Sequence, residues 1–415
     1  MKLMMLAYNI IATIFLVIAS PALLLYAVIF RDNISERIVS YRFFFSRSIW
    51  IHSASIGEAR AAKIVYEKMK MRFPQVQFVL TAMTRGGVKT LKECVQPPDV
   101  ALFAPLDHPA FLLHFLRMFN PSLLLIIETE IWSNMIYFSS KRGTKPVLIS
   151  GKLTKKGERR LRPVRFFIRK LFPMYHMFLM KSNEDAKRII RLGAPMNKVK
   201  VLTSIKFAST RANGEIEPIR HKKRVIVAGS LRKGEFKPII ESFKKIIPSH
   251  PNVLLIIAPR HIKNKLEIRF LCERYGLLYA FDSKGEFRED VDVYIVDTYG
   301  RLNLFYAIAD VAFVGGSLRD FGGHNPLEPA SFGVPVIFGP YMRQDAAPLL
   351  IECGGAKMIE TDEELPDELI RILDSPKVAK RMGEASKRML AEMTEKVDEY
   401  FEILSELVRE NYETD

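Results

Sequence analysis

Short apolar runs recur along the chain, separated by stretches in which apolar and polar residues repeat at helical spacing. Ile49–His52, Phe78–Ala82, Leu123–Ile127, Pro146–Ile149, Met177–Met180 and Val199–Leu202 read as strands. Gly57–Met71, Ile131–Lys141 and Asn183–Leu192 read as helices between them, the last ended by Gly193. Leu123–Ile127 is wholly apolar, which predicts a central strand covered on both faces. From Ala208 to Lys223 the rhythm lapses, and Gly214, Pro218 and the basic run Arg220–Arg224 mark a linker. It restarts with strands at Val225–Ala228, Val253–Ile257, Val293–Val296, Val311–Val314 and Val336–Phe338, and helices such as Lys237–Ile247 and Leu302–Ala309. From Pro376 onward the pattern is helical, with Tyr400, Ile403 and Leu407 on one face. Two similar strand–helix halves predict two α/β domains with mostly parallel sheets, because right-handed helical crossovers bring successive strands in parallel. Ligands are then expected beyond the carboxyl ends of the strands, in the crevice between the domains.

The chain begins differently. No charged side chain occurs from Leu3 to Phe30, between Lys2 and Arg31. A membrane span needs about 20 such residues. A cleaved signal peptide competes, with small residues at Ala19-Ser20-Pro21-Ala22, but Lys2 alone is a thin basic flank and the run is long for a signal sequence. The expectation is an uncleaved single-pass transmembrane helix over residues 1–31. Arg31, Arg37, Arg42 and Arg47 follow it, so the positive-inside rule places the rest in the cytoplasm, at the inner membrane. The remaining boundaries are an N-terminal domain over 32–207, a linker over 208–224, a C-terminal domain over 225–390, and a final helix over 391–415 packing back toward the N-terminal domain.

At 415 residues the chain has room for two domains and an appendage, and 48% hydrophobic with 26% charged residues describes a folded protein. Cys94, Cys272 and Cys353 form no CxxC pair and no zinc spacing, which suits a reducing compartment. A net charge of +16 favours an anionic partner: nucleic acid, a membrane surface or a phosphorylated substrate. The apolar N-terminus turns that choice from nucleic acid toward the membrane surface and a phosphorylated lipid.

Candidate chemistry falls at strand ends. His52-Ser53-Ala54-Ser55-Ile56-Gly57-Glu58 leads from the first strand into a helix. Glu58 has the spacing of a capping box with Ser55 and is equally placed to serve as a general base. Glu128 and Glu130 flank Thr129 at the end of the apolar strand, where at least one can simply cap the next helix. Lys152, Lys155, Lys156, Arg159, Arg160, Arg162, Arg165, Arg169 and Lys170 form the densest basic segment, with Phe166, Phe167 and Phe172 interleaved. It reads as a site for an anionic lipid head group or as a solvated helix face. In the second half Ser230 follows Gly229, and Arg260-His261 follows the strand Val253–Ile257; both can hold a phosphate. Val311–Pro340 reads strand, glycine loop with Gly315-Gly316 and Gly322-Gly323, the cluster His324-Asn325 with Glu328, then strand. That is a nucleotide cradle or an ordinary βαβ turn. Asp290-Val291-Asp292 resembles a metal-binding DxD but leads into a strand and more simply flanks an exposed edge; no P-loop, GxGxxG or HExxH occurs.

HSASIGE, IIETEIWSN, SNEDAKRIIRLGA, SIKF, APRH and VGGSLRDFGGHNPLEP together resemble the Kdo transferases, glycosyltransferase family 30, over essentially the whole chain. The resemblance implies a GT-B fold, two Rossmann-like domains facing a cleft. It implies transfer of 3-deoxy-D-manno-octulosonic acid (Kdo) from CMP-Kdo to a lipid A precursor, lipid IVA, in lipopolysaccharide core biosynthesis. The implied reaction inverts the anomeric centre and uses no metal and no cofactor, CMP-Kdo being a substrate. By the same resemblance Glu58 is the general base, and Glu128, Lys152 and Arg160 lie on the acceptor side. Lys206 neutralises the leaving phosphate. Ser230, Arg260, His261, Gly322, Gly323, Asn325 and Glu328 hold the CMP moiety. The sequence departs from the family pattern at Leu231-Arg232 for Thr-His, Lys152 for Arg, Ala208 for an acidic residue and Ser133 for Pro. Other readings are a GT-B transferase or sugar-nucleotide epimerase using UDP- or ADP-sugars, and a non-catalytic membrane receptor for an anionic lipid.

Overall fold

Two seven-stranded sheets, parallel throughout, carry the described fold. The computed structural model describes residues 1–30, 44–210, 219, 221 and 223–412. The first sheet comprises β1 (Ser48–Ser53), β2 (Gln77–Ala82), β3 (Val100–Phe103), β4 (Pro121–Ile127), β5 (Lys145–Gly151), β6 (Met177–Met180) and β7 (Val199–Val201). Their order is β3-β2-β1-β4-β5-β6-β7. The second comprises β8 (Arg224–Leu231), β9 (Val253–Pro259), β10 (Tyr279–Phe281), β11 (Val293–Ile295), β12 (Val311–Val314), β13 (Val336–Phe338) and β14 (Ala356–Met358). Here the order is β10-β11-β9-β8-β12-β13-β14.

The apolar strand expected at a centre is β4, fourth of seven, with Leu123–Ile127 buried. Three strands were not expected: β3, β10 and β14. Each lies at a sheet edge and is short, and β10 is only partly buried along its length. Val100–Phe103 and Tyr279–Phe281 are apolar, but at three or four residues these strands are too short for periodicity alone to mark.

The chain forms two compact units, Met1–Ser209 with Glu395–Asp415, and Thr210–Thr394. Helix Pro376–Tyr412 contributes to both. In the first unit the Ser150 N–H donates to Tyr400 Oη at 2.6 Å, Arg72 pairs with Glu402 at 2.7 Å, and Lys145 pairs with Glu410 at 3.0 Å. Most of the expected linker, and Arg31, Arg37 and Arg42, lie outside the described residues.

The N-terminal apolar run corrects one expectation. It forms one helix, Lys2–Phe30. Among the described residues no helix is long and apolar enough to cross a membrane. The start of this helix is instead docked on the first unit. Met5 is buried, Tyr8 Oη donates to Asp107 at 3.1 Å and its ring stacks on Phe167 at 5.9 Å, and Thr13 reaches His108 at 3.0 Å. A segment with one side packed on protein and tied by polar contacts does not present the uniform apolar surface of a lone span. Leu3, Leu6, Ile10, Ile14 and Val17, spaced along the other side, are exposed.

Candidate active site

In the first unit the chemistry gathers at the carboxyl ends of β1, β4 and β5. β1 lies between β2 and β4, with His52 level with Ile126, so the loops after β1 and β4 are neighbours. Glu58 stands in the first turn of helix Ile56–Arg72 and closes the capping box. Its Oε2 accepts from the N–H groups of Ala54 (2.6 Å) and Ser55 (3.2 Å), and its Oε1 from Ser55 Oγ (3.1 Å). The cap fixes the rotamer of a half-buried carboxylate, which has further lone-pair sites for a substrate hydroxyl. Cap and base are therefore compatible.

Glu128 takes the left-handed backbone at φ 60°, where a non-glycine residue is uncommon. Its N–H donates to the Ile149 carbonyl at 2.8 Å, and its Oε1 accepts from Lys181 Nζ at 2.8 Å and Lys206 Nζ at 3.1 Å. Burial pushes the Glu128 carboxyl up, but the two ammonium groups outweigh it and the net shift is down. Lys206 thus sits on Glu128 in the first unit. Glu130 behaves oppositely. Burial, and then the charges of Glu58 and Glu128, push its carboxyl to about 7. One loop therefore holds an ionised carboxylate and a carboxyl that titrates near neutrality.

Behind these groups His52 is fully buried, and burial holds its imidazole down to about 3. Its Nδ1 lies 3.0 Å from Thr81 Oγ1, which also accepts from Trp50 Nε1 at 2.8 Å. Its ring meets Trp132 edge-on at 6.1 Å. Lys152 and Arg160 are exposed, the Lys152 N–H donating to Thr129 Oγ1 at 3.0 Å. Most of the basic segment is a solvent-facing surface over helices Lys155–Leu161 and Arg165–Leu171, in which Ile168 and Leu171 face inward.

In the second unit the residues gather at the ends of β8, β9 and β12. β8 lies between the other two, where the connections diverge to opposite sides. Ser230 has φ 59°, and Gly315 is forced, since a Cβ there would stand 2.7 Å from the Ser230 carbonyl oxygen and Leu231 Cα. Arg260 is exposed at the β9 end, its N–H donating to the Leu231 carbonyl at 2.8 Å. His261 Nε2 is 3.4 Å from Arg232. Gly322 and Gly323 turn the next loop back with left-handed backbones, and the Gly323 N–H donates to Gly316 O at 2.7 Å. Asn325 Nδ2 donates to Glu328 Oε1 at 3.3 Å, and burial raises the Glu328 carboxyl against the pull of Asn325 and Arg260. His324 is held near 4 by burial and by the neighbouring Arg260, Arg232 and His261.

Sequence reasoning missed Lys181, the buried His52–Thr81 contact and Glu235. Glu235 is fully buried, and its carboxylate accepts from the N–H groups of Arg232 (2.7 Å), Gly316 (2.7 Å), Ser317 (2.9 Å) and Leu318 (2.9 Å). It ties the loop after β8 to the loop after β12. Of the DxD pair, Asp290 is paired with Arg288 and Asp292 accepts from the Leu278 N–H at 2.9 Å. Among the described residues no cluster of three or more His, Cys, Asp or Glu could hold a metal ion.

Two parallel-sheet α/β domains are consistent with the GT-B class of fold. A glycosyltransferase from Rickettsia africae shares it, with a TM-score of 0.57, 12% identity, and coverage of 89% of this chain and all of that one. The sequence comparisons are more specific. Residues 32–209 match the model of the 3-deoxy-D-manno-octulosonic-acid transferase (Kdo transferase) family. The chain is 30% identical to a 3-deoxy-D-manno-octulosonic acid transferase of Chlamydophila psittaci, over 74% of this chain and 72% of that protein. It is 27% identical to one of Haemophilus influenzae, over 92% and 93%. The chain belongs to the Kdo transferase family of glycosyltransferases.

Proposed function

We propose that this protein transfers Kdo from CMP-Kdo to lipid IVA, a phosphorylated lipid A precursor, in lipopolysaccharide core biosynthesis. The observation that carries the reading is the placement, within a Kdo transferase chain, of Glu58 beside the Glu128–Glu130 loop at one sheet edge. In the step envisaged, Glu58 accepts the proton of the acceptor hydroxyl as its oxygen attacks the anomeric carbon of Kdo. The bond from that carbon to the phosphate oxygen breaks, and CMP leaves with the electron pair, so the anomeric centre inverts. The capping donors keep Glu58 oriented throughout. Glu130, titrating near 7, can share the proton that Glu58 takes up.

On the donor side Arg260 and His261 meet the phosphate, while Asn325 orients Glu328 toward the ribose hydroxyls. Ser230, Gly322 and Gly323 shape the surrounding backbone. Lys206, on Glu128, supplies positive charge for the leaving phosphate, and no metal is required by this scheme. Lys152, Arg160 and the exposed basic helices meet the phosphates of the lipid. The exposed apolar side of helix Lys2–Phe30 rests in the cytoplasmic surface of the inner membrane and keeps the acceptor at hand.

Mass spectrometry of lipid IVA incubated with the protein and CMP-Kdo generated in situ tests the activity. Added mass in Kdo units is expected. A binding panel of CMP, UDP and ADP tests the donor, and preference for UDP or ADP sinks the reading.

A further inference from the structure

The donor edge of the second unit holds more positive charge than one phosphate uses. Four nitrogen-bearing side chains converge there: Arg232, Arg260, His261 and His324. The next two arginines are neutralised, Arg319 by a bidentate pair with Asp362 at 2.6 and 3.0 Å and Arg343 by Asp320. Arg232 and Arg260 form no ion pair among the described residues. Glu235, the buried acid of this edge, is occupied by four backbone N–H groups. His324 Nε2 is buried without a hydrogen-bond partner. Uncompensated cations around an orphaned polar atom describe a site for an anion.

The two guanidinium groups are not equivalent. Arg260 follows β9 and its charge pulls on Glu328, whereas Arg232 follows β8 and sets its guanidinium 3.4 Å from His261. Glu328 is the residue proposed above for the ribose hydroxyls, which leaves Arg232 for a second anionic group. The Arg232 guanidinium is laid over the half-exposed Phe321 ring at 4.5 Å, and its backbone N–H is locked by Glu235. A guanidinium stacked on an aromatic face is a pre-oriented planar fork, suited to a carboxylate. Resting on the CMP-Kdo reading above, the donor carries two anionic groups, the phosphodiester and the carboxylate of its acid sugar. We propose that Arg232, on its Phe321 platform beside His261, binds the carboxylate of the donor sugar and so selects an acidic over a neutral sugar.

The test separates nucleotide from sugar. CMP affinity is measured by calorimetry, and the KM for CMP-Kdo is taken from initial transfer rates, for the full-length protein and for Arg232→Ala, Arg232→Lys and Phe321→Leu. With Arg232→Ala the CMP Kd is expected to stay within about 2-fold while the KM for CMP-Kdo rises about 10- to 100-fold, the range of a lost charge-assisted bond. Arg232→Lys should recover part of that rise, and Phe321→Leu should raise KM by only about 3-fold. A parallel loss of CMP affinity would place Arg232 on the phosphate, and an unchanged KM would place it outside the donor site; either overturns the proposal. If the unmodified protein binds UDP or ADP rather than CMP, the donor reading itself has failed, and this result is distinct from both. Among the described residues the Arg232 side chain meets His261 and Phe321 at the surface, so an unchanged unfolding midpoint is the expected control.

Discussion

The two sheets are nearly the same scaffold with opposite charge at the same edge. In both, the first strand of the unit lies between the second and a later strand, and the loops after these strands converge. In the first unit those loops carry Glu58, Glu128 and Glu130; in the second they carry Arg232, Arg260, His261 and His324. The sheet supplies a place where loop ends meet, and the loop residues decide whether that place is acidic or basic. The internal bookkeeping is reversed as well. The acidic edge is balanced by lysines, Lys181 and Lys206 on Glu128. The basic edge keeps buried Glu235 on backbone N–H groups, while among the described residues Arg232 and Arg260 form no ion pair.

The largest effect that would break this contrast is on turnover. Glu58→Gln should lower transfer by about 10²- to 10⁴-fold with CMP affinity unchanged. Glutamine still closes a capping box, so the helix should survive and isolate the lost proton acceptor. Substantial transfer by a folded Gln variant removes Glu58 as base. Next comes Arg260→Ala, expected to weaken CMP binding about 10- to 100-fold in calorimetry with no change in unfolding midpoint, since the side chain is exposed. If CMP binds unchanged, the basic edge is not the nucleotide site.

Glu235→Gln should destabilise the second unit by about 2–3 kcal/mol in chemical unfolding. Its amide would turn an NH₂ group toward backbone donors that now share a carboxylate. An unchanged unfolding curve would mean the loops hold without it. The smallest effect is at Glu130, whose carboxyl is raised from 4.5 to about 7 in the folded protein. A raised carboxyl favours folding fully below its ordinary value and loses that contribution as pH climbs through about 7. Glu130→Gln should therefore melt higher than the parent at pH 8, with the gap closing by pH 5. A gap independent of pH would show that Glu130 is not the titrating group.

Local pattern reached most strands because most of them bury an apolar run of their own. It failed at β3, β10 and β14, edge strands of only three or four residues, too short for a pattern to stand out. It also suggested a span from Leu3 to Phe30, where apolarity alone does not distinguish lipid from protein as the covering surface. Tyr8 meeting Asp107, 99 positions away, is invisible to any window of sequence.

What the sequence determined by itself was the alternation of strand and helix, the strand-end placement of Glu58, Glu128, Arg260 and Glu328, and the family those motifs mark. These follow from residues within a turn or a strand of each other. The tertiary structure decided their electrostatic state. Glu128 is held ionised because Lys181, 53 positions on, reaches it, and Glu130 is raised to about 7 because burial and two neighbouring carboxylates oppose its charge. The Arg232 backbone is held by Glu235, which also gathers N–H groups from a loop more than 80 positions on. Charge acts through space, and only the folded chain says what is near.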